Sequence, residues 1–575
     1  MQLGNKITRI LLAAVIVVSL ALSFWFLSVK QGYHEDELLT YNLANSSKQL
    51  GVDGEWNTPD DFNAYLTAGE GEGQHRFDYK NVYDNQVIDA SHPPLYYAMV
   101  HTVCSFFPNL FSKWLAFGIN VVMMTGALLL LFGIGKRVTG SNLYALIGAG
   151  GYAFSVACIT TTIYLRMYAS LTFWVLAFLY LTLRIYDKKN RISVPCCLLL
   201  LVVVTLGILT QYYFILCAGL IGLVYLIFSI KERSIKALAV YIVTALIGIG
   251  IALAIYPYII TNVLGGNRGF GSLKLDIDPI TIVTYVVYKL LCYLQVLIKD
   301  MFLGQAWLLW GCLVLALGSW LFLRVVKKRK LPRKAWFIIV PGAVYFLFIS
   351  LVSPFNSDRY VMASLPLLSL MFSFAMIRLV SLIPAAKLRL LLPAGMAVAS
   401  ALAFVLVKPY YLYGETNLYQ PKTDNCVFVG TSMMEWNKCI DKFMNYDSVM
   451  IAKTTEMSTT LYNELDEFAQ KRGVITNGKI ASFAQSFMTN GDVERTESDS
   501  LDKLVSDTKL RGLDEVTVYI SRLADEKAVT DKITRNTDLK HCELIQADRQ
   551  FDEFFNWYDY FVETESYCNV YRFYK

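Results

Sequence analysis

Long apolar runs recur through the first 407 residues and then stop. The first, residues 10–29, is nearly unbroken and long enough to cross a bilayer. Others follow at about 112–135, 141–162, 166–184, 194–210, 211–230, 236–260, 305–325, 334–352, 359–380 and 386–407. Two further stretches, near 93–108 and 283–303, are apolar but ambiguous. Basic residues punctuate the series: Lys6 and Arg9 precede the first run, and "KKNR" at 188–191 and "KKRKLPRK" at 327–334 separate later ones. Lys and Arg collect in cytoplasmic loops. Both basic runs lie inside only if the two ambiguous stretches rest on or dip into the outer leaflet, which gives roughly eleven spans; if both cross, the count is roughly thirteen. Either number is odd, so an N-terminus in the cytoplasm sends the C-terminus outside. The first run is longer than the apolar core of a secretory signal and lacks a small-x-small cleavage site, so it is read as an uncleaved helix.

Beyond Lys408 the pattern changes. Short strand-like runs, "CVFVG", "DSVMIAK" and "EVTVYIS", alternate with helix-like ones such as "STTLYNELDEFAQKRG". The expected organisation is a polytopic α-helical membrane domain over 1–407, with a long outer loop at 30–92, followed by an extracytoplasmic α/β domain over 408–575. No internal repeat is evident.

Composition agrees: 55% of the residues are hydrophobic and 17% charged, too oily for an ordinary soluble domain. A net charge of +6 is modest for 575 residues, which sets nucleic acid aside and leaves the bilayer as the first partner. Of eleven cysteines, Cys426, Cys439, Cys542 and Cys568 fall in the outer domain, and pairing of sequence neighbours would give Cys426–Cys439 and Cys542–Cys568. The other seven lie in or beside apolar runs and are read as packing residues. No Cys or His spacing suggests a metal, and no cofactor is expected.

The chemistry gathers on the outer side. "GYHEDELLTYN", residues 32–42, sets Glu35, Asp36 and Glu37 together just past the first span. The segment predicts a helix lying along the surface, with Leu39 and Leu43 on the face of Asp36. Adjacent helical residues diverge by about 100°, so Asp36 and Glu37 should not aim at one point. The same loop ends in "DASHPPLYYAMVH", residues 89–101, where paired prolines hold His92 at a rigid corner. Arg166 and Tyr168, Gln211, Tyr212 and Tyr213, and Arg359 and Tyr360 all fall at outer helix boundaries, and "LGGNRGFGS" at 264–272 adds Arg268. Outer arginines run against the positive-inside bias. One carboxylate among several cations suits transfer from a phosphate-linked lipid: a base takes the acceptor's proton while cations stabilise the leaving phosphate. A single displacement inverts the anomeric centre.

The ordered motifs "HEDELLTYNLANS", "HPPLYYAMVH", "RMYASLTF", "LTQYYF" and "DRYVMASLPLL" resemble the bacterial branch of the dolichyl-phosphate-mannose protein mannosyltransferase superfamily. This group includes the aminoarabinose transferase of lipid A and belongs to the GT-C membrane glycosyltransferases. The resemblance covers about residues 1–405 and implies a GT-C bundle using a polyprenyl-phosphate sugar donor and an envelope acceptor, with no defined catalytic metal. It implies that Asp36 is the base, that Glu37 helps shape the site, and that His92, Arg166 and Arg359 face the donor phosphate. Glu35 departs from the pattern and leaves the identity of the working acid open. The outer domain carries no such resemblance. From the residues alone, a lipid or solute transporter and a non-catalytic envelope scaffold stay open as alternatives.

Overall fold

The fold was analysed in a computed structural model, which describes the chain except residues 1–3, 31, 72, 189–191, 265–278, 322–323, 326–327, 329–330, 354–356, 381–394, 396–424, 432, 438, 457, 459–498, 522 and 548–567. The expected span at 386–407, almost all of "STTLYNELDEFAQKRG" and the Arg268 loop beyond Leu264 lie outside the described residues.

The first apolar run forms α1 (Asn5–Val29). The outer loop folds as α2 (Glu35–Asn45), β1 (Glu55–Asn57), α3 (Pro59–Leu66) and α4 (Tyr79–Asp89), and α5 (Leu95–Phe106) leads into the bundle. The bundle comprises α6 (Lys113–Thr139), α7 (Asn142–Ala153), α8 (Val156–Ile163), α9 (Tyr168–Asp187), α10 (Val194–Thr210), α11 (Tyr213–Lys231), α12 (Ile235–Ile255), α13 (Ile259–Leu264), α14 (Pro279–Met301), α15 (Ala306–Leu321), α16 (Trp336–Ile339), α17 (Tyr345–Val352) and α18 (Leu365–Val380). The outward faces of α1 and of the bundle helices carry apolar side chains such as Val18, Leu129, Leu246 and Trp310, which a solvent of lipid accommodates. The chain is read as a multi-pass membrane protein.

Among the described residues, six segments are long and apolar enough to cross: Asn5–Val29, Lys113–Thr139, Tyr168–Asp187, Tyr213–Lys231, Ile235–Ile255 and Arg333–Val352. Two bent pairs raise this to eight. One is α7 with α8, bent by 57°, where the sequence pattern suggested a single run. Ser155 causes the break by starting a new helix, its hydroxyl accepting from the Cys158 N–H at 3.2 Å. The ambiguous stretch at 93–108 becomes α5, whose 12 residues are too short to span.

α6 and α9 pack closely because Gly126 and Gly133 on α6 leave room for Phe173 and Tyr180 on α9; a Cβ at Gly126 would stand 2.6 Å from the Phe173 ring. This contact fixes α9, and with it the turn that precedes Tyr168.

Above the bundle the described residues form a six-stranded sheet in the order β1, β3 (Ser448–Lys453), β2 (Asn425–Gly430), β4 (Glu515–Ser521), β6 (Cys568–Tyr574) and β5 (His541–Gln546). The pairs β2–β3 and β2–β4 are parallel and the others antiparallel. Alternation splits its side chains. Val427, Val429, Met450, Val518 and Ile520 face one apolar layer, while Cys426, Phe428, Val449, Ile451 and Tyr519 join the main core below. The edge strand β1 comes from the outer loop, so this sheet is not built from residues beyond 408 alone. Phe62 against Phe443, Tyr65 hydroxyl to Asn437 and Trp56 Nε1 to Asp507 Oδ1 at 3.1 Å fasten loop to sheet.

None of the eleven cysteines forms a disulfide in this structure, which corrects the expected pairing. Cys568 sits opposite Ser521 at the start of β6, whereas Cys542 sits opposite Phe573 near its end. Five residues of strand separate these positions by roughly 17 Å, beyond disulfide reach. Cys426 and Cys439 are both buried.

Candidate active site

The acidic segment forms α2 because it carries its own start signal. His34 is the N-cap: its Nδ1 accepts from the Asp36 N–H at 3.0 Å, and Glu37 Oε2 accepts from the His34 N–H at 2.8 Å. An accepting Nδ1 puts the imidazole proton on Nε2. The 3.8 Å approach of Nδ1 to Asp36 Oδ2 is therefore the by-product of a cap rather than an ion pair. The first turn of α2 is wholly buried, with Leu38, Tyr41 and Ala44, so the helix is embedded in protein rather than lying along a lipid surface.

Asp36 is the acid that meets the two arginines. Its Oδ2 pairs with the Arg359 guanidinium and accepts a hydrogen bond from the Tyr164 hydroxyl at 2.7 Å. Its Oδ1 lies 3.7 Å from Arg166. Arg166 is fixed by donating from one nitrogen to the Asp36 carbonyl at 3.0 Å, the Thr40 hydroxyl at 2.9 Å and the Tyr97 hydroxyl at 3.1 Å. Arg359 also approaches the Tyr164 hydroxyl at 3.4 Å and lies over the Tyr360 ring.

Glu37 points elsewhere, as the 100° step requires. Its carboxylate accepts from Lys30 Nζ at 2.7 Å and from the Leu165 N–H at 2.8 Å, and Lys30 reaches the Ile163 carbonyl at 3.4 Å. Burial pulls the Lys30 ammonium below its ordinary value while Glu37 pulls it back up. This fully buried pair ties the end of α1 and the start of α2 to the turn at 163–167.

His92 stands where α4 ends. Ala90 closes that helix in the left-handed region, with φ 52°, and Asp89 Oδ2 then accepts from the Ser91 N–H at 3.1 Å. The same oxygen meets His92 Nδ1 at 2.9 Å. With Nδ1 donating, Nε2 is the acceptor for Arg166 at 3.1 Å. His92 thus holds Arg166 by one edge and Asp89 by the other. Among the described residues no group of three or more His, Cys, Asp or Glu is arranged to hold a metal ion.

No family model and no curated protein matches the sequence. Among solved structures the chain is similar to ArnT from Cupriavidus metallidurans bound to undecaprenyl phosphate, at 10% identity and a TM-score of 0.48, covering 99% of this chain and 98% of that one. It is also similar to the archaeal oligosaccharyltransferase AglB from Archaeoglobus fulgidus in complex with an inhibitory peptide and a dolichol-phosphate, at 12% identity and a TM-score of 0.38, over 86% and 69% of the two chains. The functional reading rests on the residues of the site.

The residues singled out from the sequence largely converge. Tyr168 stacks on Tyr164 with centroids 5.7 Å apart and planes 8° apart, and Tyr213 meets Tyr360 edge-on at 5.6 Å. Gln211 turns inward to accept from the Tyr212 N–H at 2.7 Å, so its carbonyl shapes the junction of α10 and α11. The Tyr212 hydroxyl accepts from Asn262 at 3.1 Å, and burial pushes this phenol up to about 12. The sequence reading did not single out Tyr164, Tyr97, Asp89, His34 or Lys30. Tyr164 lies two positions before Arg166, but a tyrosine at a membrane boundary is ordinarily an anchor. Lys30 gave no signal beyond its position after a span.

Proposed function

We propose that this chain is an integral membrane glycosyltransferase that passes a sugar from a polyprenyl-phosphate donor to an envelope acceptor at the outer face, with inversion. The observation that carries the reading is the buried Asp36 carboxylate held between Arg166 and Arg359 at the mouths of several helices. Asp36 takes the proton of the acceptor's hydroxyl or amine. The acceptor atom attacks the anomeric carbon, and the bond to phosphate breaks with its electron pair on the phosphate oxygen. Arg359, whose planar fork matches phosphate, turns from Asp36 to the developing anion. Arg166, braced by His92 and Thr40, keeps the second cation in place. Glu37 acts as a structural clamp, and Tyr168, Tyr213 and Tyr360 line the site.

Purified protein given a radiolabelled polyprenyl-phosphate sugar and envelope acceptors tests this. Acceptor-dependent release of polyprenyl phosphate is expected, and its absence with every donor would reject the reading. Arg359→Ala is expected to lower kcat/KM for the donor by about 10- to 100-fold, the worth of one or two charge-assisted hydrogen bonds. The bent helix pairs, with Lys289 and Asp300 buried on α14, give a transporter reading some footing. Donor flux across vesicles without any transfer product would favour it.

In this reading residues 1–407 catalyse and the sheet domain stands outside the cell, over the outer loop. Cys542, the exposed cysteine of that domain, reports the orientation. A membrane-impermeant maleimide is expected to label intact cells, and Cys542→Ser to abolish most of the signal. Labelling only after lysis would place the domain inside.

A further inference from the structure

Asp36 is faced by charged and titratable groups from several elements. His34 caps its own helix, with Glu35 and Glu37 beside it. Arg166 and Tyr164 come from the turn between α8 and α9, and Arg359 from the turn before α18. His92, Asp89 and Tyr97 stand behind Arg166, and Lys30 behind Glu37.

Two of these groups share Oδ2, and they differ in what else they can do. Arg359 is a cation that a donor phosphate competes for. Tyr164 is neutral and is locked by its surroundings. Its carbonyl accepts from Asn120 Nδ2 at 2.7 Å, and the next residue's N–H is held by Glu37 at 2.8 Å. Its ring is stacked on Tyr168 and meets the His34 ring edge-on at 5.6 Å. When Arg359 moves to the phosphate, the Tyr164 hydroxyl is the donor that stays on Oδ2.

We propose that Tyr164 is a positioning residue for the Asp36 base: its hydroxyl pins Oδ2 and leaves Oδ1 as the oxygen that receives the acceptor's proton. The role rests on Asp36 being the base. It explains how a carboxylate freed of its arginine keeps a single orientation at the moment of attack. Tyr164 neither gives nor takes a proton in the balance. The acceptor's proton goes to Oδ1, the acceptor's electron pair to the anomeric carbon, and the bond's electrons to the phosphate.

The test is Tyr164→Phe in the full-length protein, read by the pH dependence of donor turnover. A hydrogen bond to a carboxylate favours its ionised form, so removing it lets the acid protonate at higher pH. The acid limb of kcat/KM is expected to move up by about one pH unit. kcat should fall about tenfold with donor KM within about twofold of wild type, the pattern of a lost transition-state contact. Tyr164→3-fluorotyrosine keeps the shape but donates more strongly, and is expected to move the limb the other way. A structural role alone would lower activity in both without moving the limb in opposite directions. Active protein whose limb is unmoved in both variants overturns the proposal. Wild-type protein with no turnover at all overturns instead the glycosyltransferase reading on which it rests.

Discussion

Asp36→Asn is expected to lower turnover by about a hundredfold to ten-thousandfold while leaving the protein folded. A general base contributes about 10²–10⁴ in rate, and asparagine, though nearly isosteric, cannot accept the proton. Folding should survive because α2 keeps its His34 and Glu37 cap and its buried Leu38, Tyr41 and Ala44. The substitution also leaves Arg166 and Arg359 without their shared carboxylate, so donor affinity should hold or tighten as both cations turn to the phosphate. The measurement is steady-state transfer together with donor binding by the inactive variant. Turnover within a few fold of wild type would reject Asp36 as the base. Unchanged activity in Asp36→Asn with lost activity in Glu35→Gln would move the role to the extra acid.

The second large effect is on stability. Glu37→Ala should destabilise the protein by about 3–5 kcal/mol, because it strands a fully buried ammonium and orphans the Leu165 N–H. Lys30→Met removes the other partner and should cost a similar amount by leaving Glu37 unpaired. The double substitution Lys30→Met with Glu37→Gln should recover much of the loss, since it buries no uncompensated charge. Thermal unfolding of the detergent-solubilised protein across this double-mutant cycle measures the coupling. Catalysis should track the clamp: with Ile163 and Leu165 released, Tyr164 and Arg166 lose their registration on Asp36. Single variants as stable as wild type would show that the pair contributes nothing to the turn.

These expectations treat two neighbouring acids differently, and the sequence allowed only part of that distinction. The helical step of 100° already indicated that Asp36 and Glu37 would not share a target. It did not indicate which faces the arginines, because their partners arrive from turns more than a hundred residues away. His92 shows the same limit. Its rigid corner was legible in the two prolines, but the hydrogen bonds that its ring makes to Asp89 and Arg166 were not. The disulfide expectation failed because nearness in sequence does not fix separation along a strand: Cys542 and Cys568 occupy opposite ends of one ladder.

What the chain determined by itself are the local features: apolar runs long enough for helices in lipid, a capped acidic helix just past the first of them, a proline corner at His92, and alternating strands near the C-terminus. Each depends on neighbours within a few residues, through periodicity, capping and fixed φ. Tertiary structure alone decided that α1, the α8–α9 turn and the turn before α18 meet at one carboxylate, that Tyr164 and Lys30 belong to the site, and that a strand of the outer loop completes the sheet. Helix packing sets those meetings. The Gly126 contact with Phe173 and the Leu165 N–H held by Glu37 act between segments that no local pattern connects.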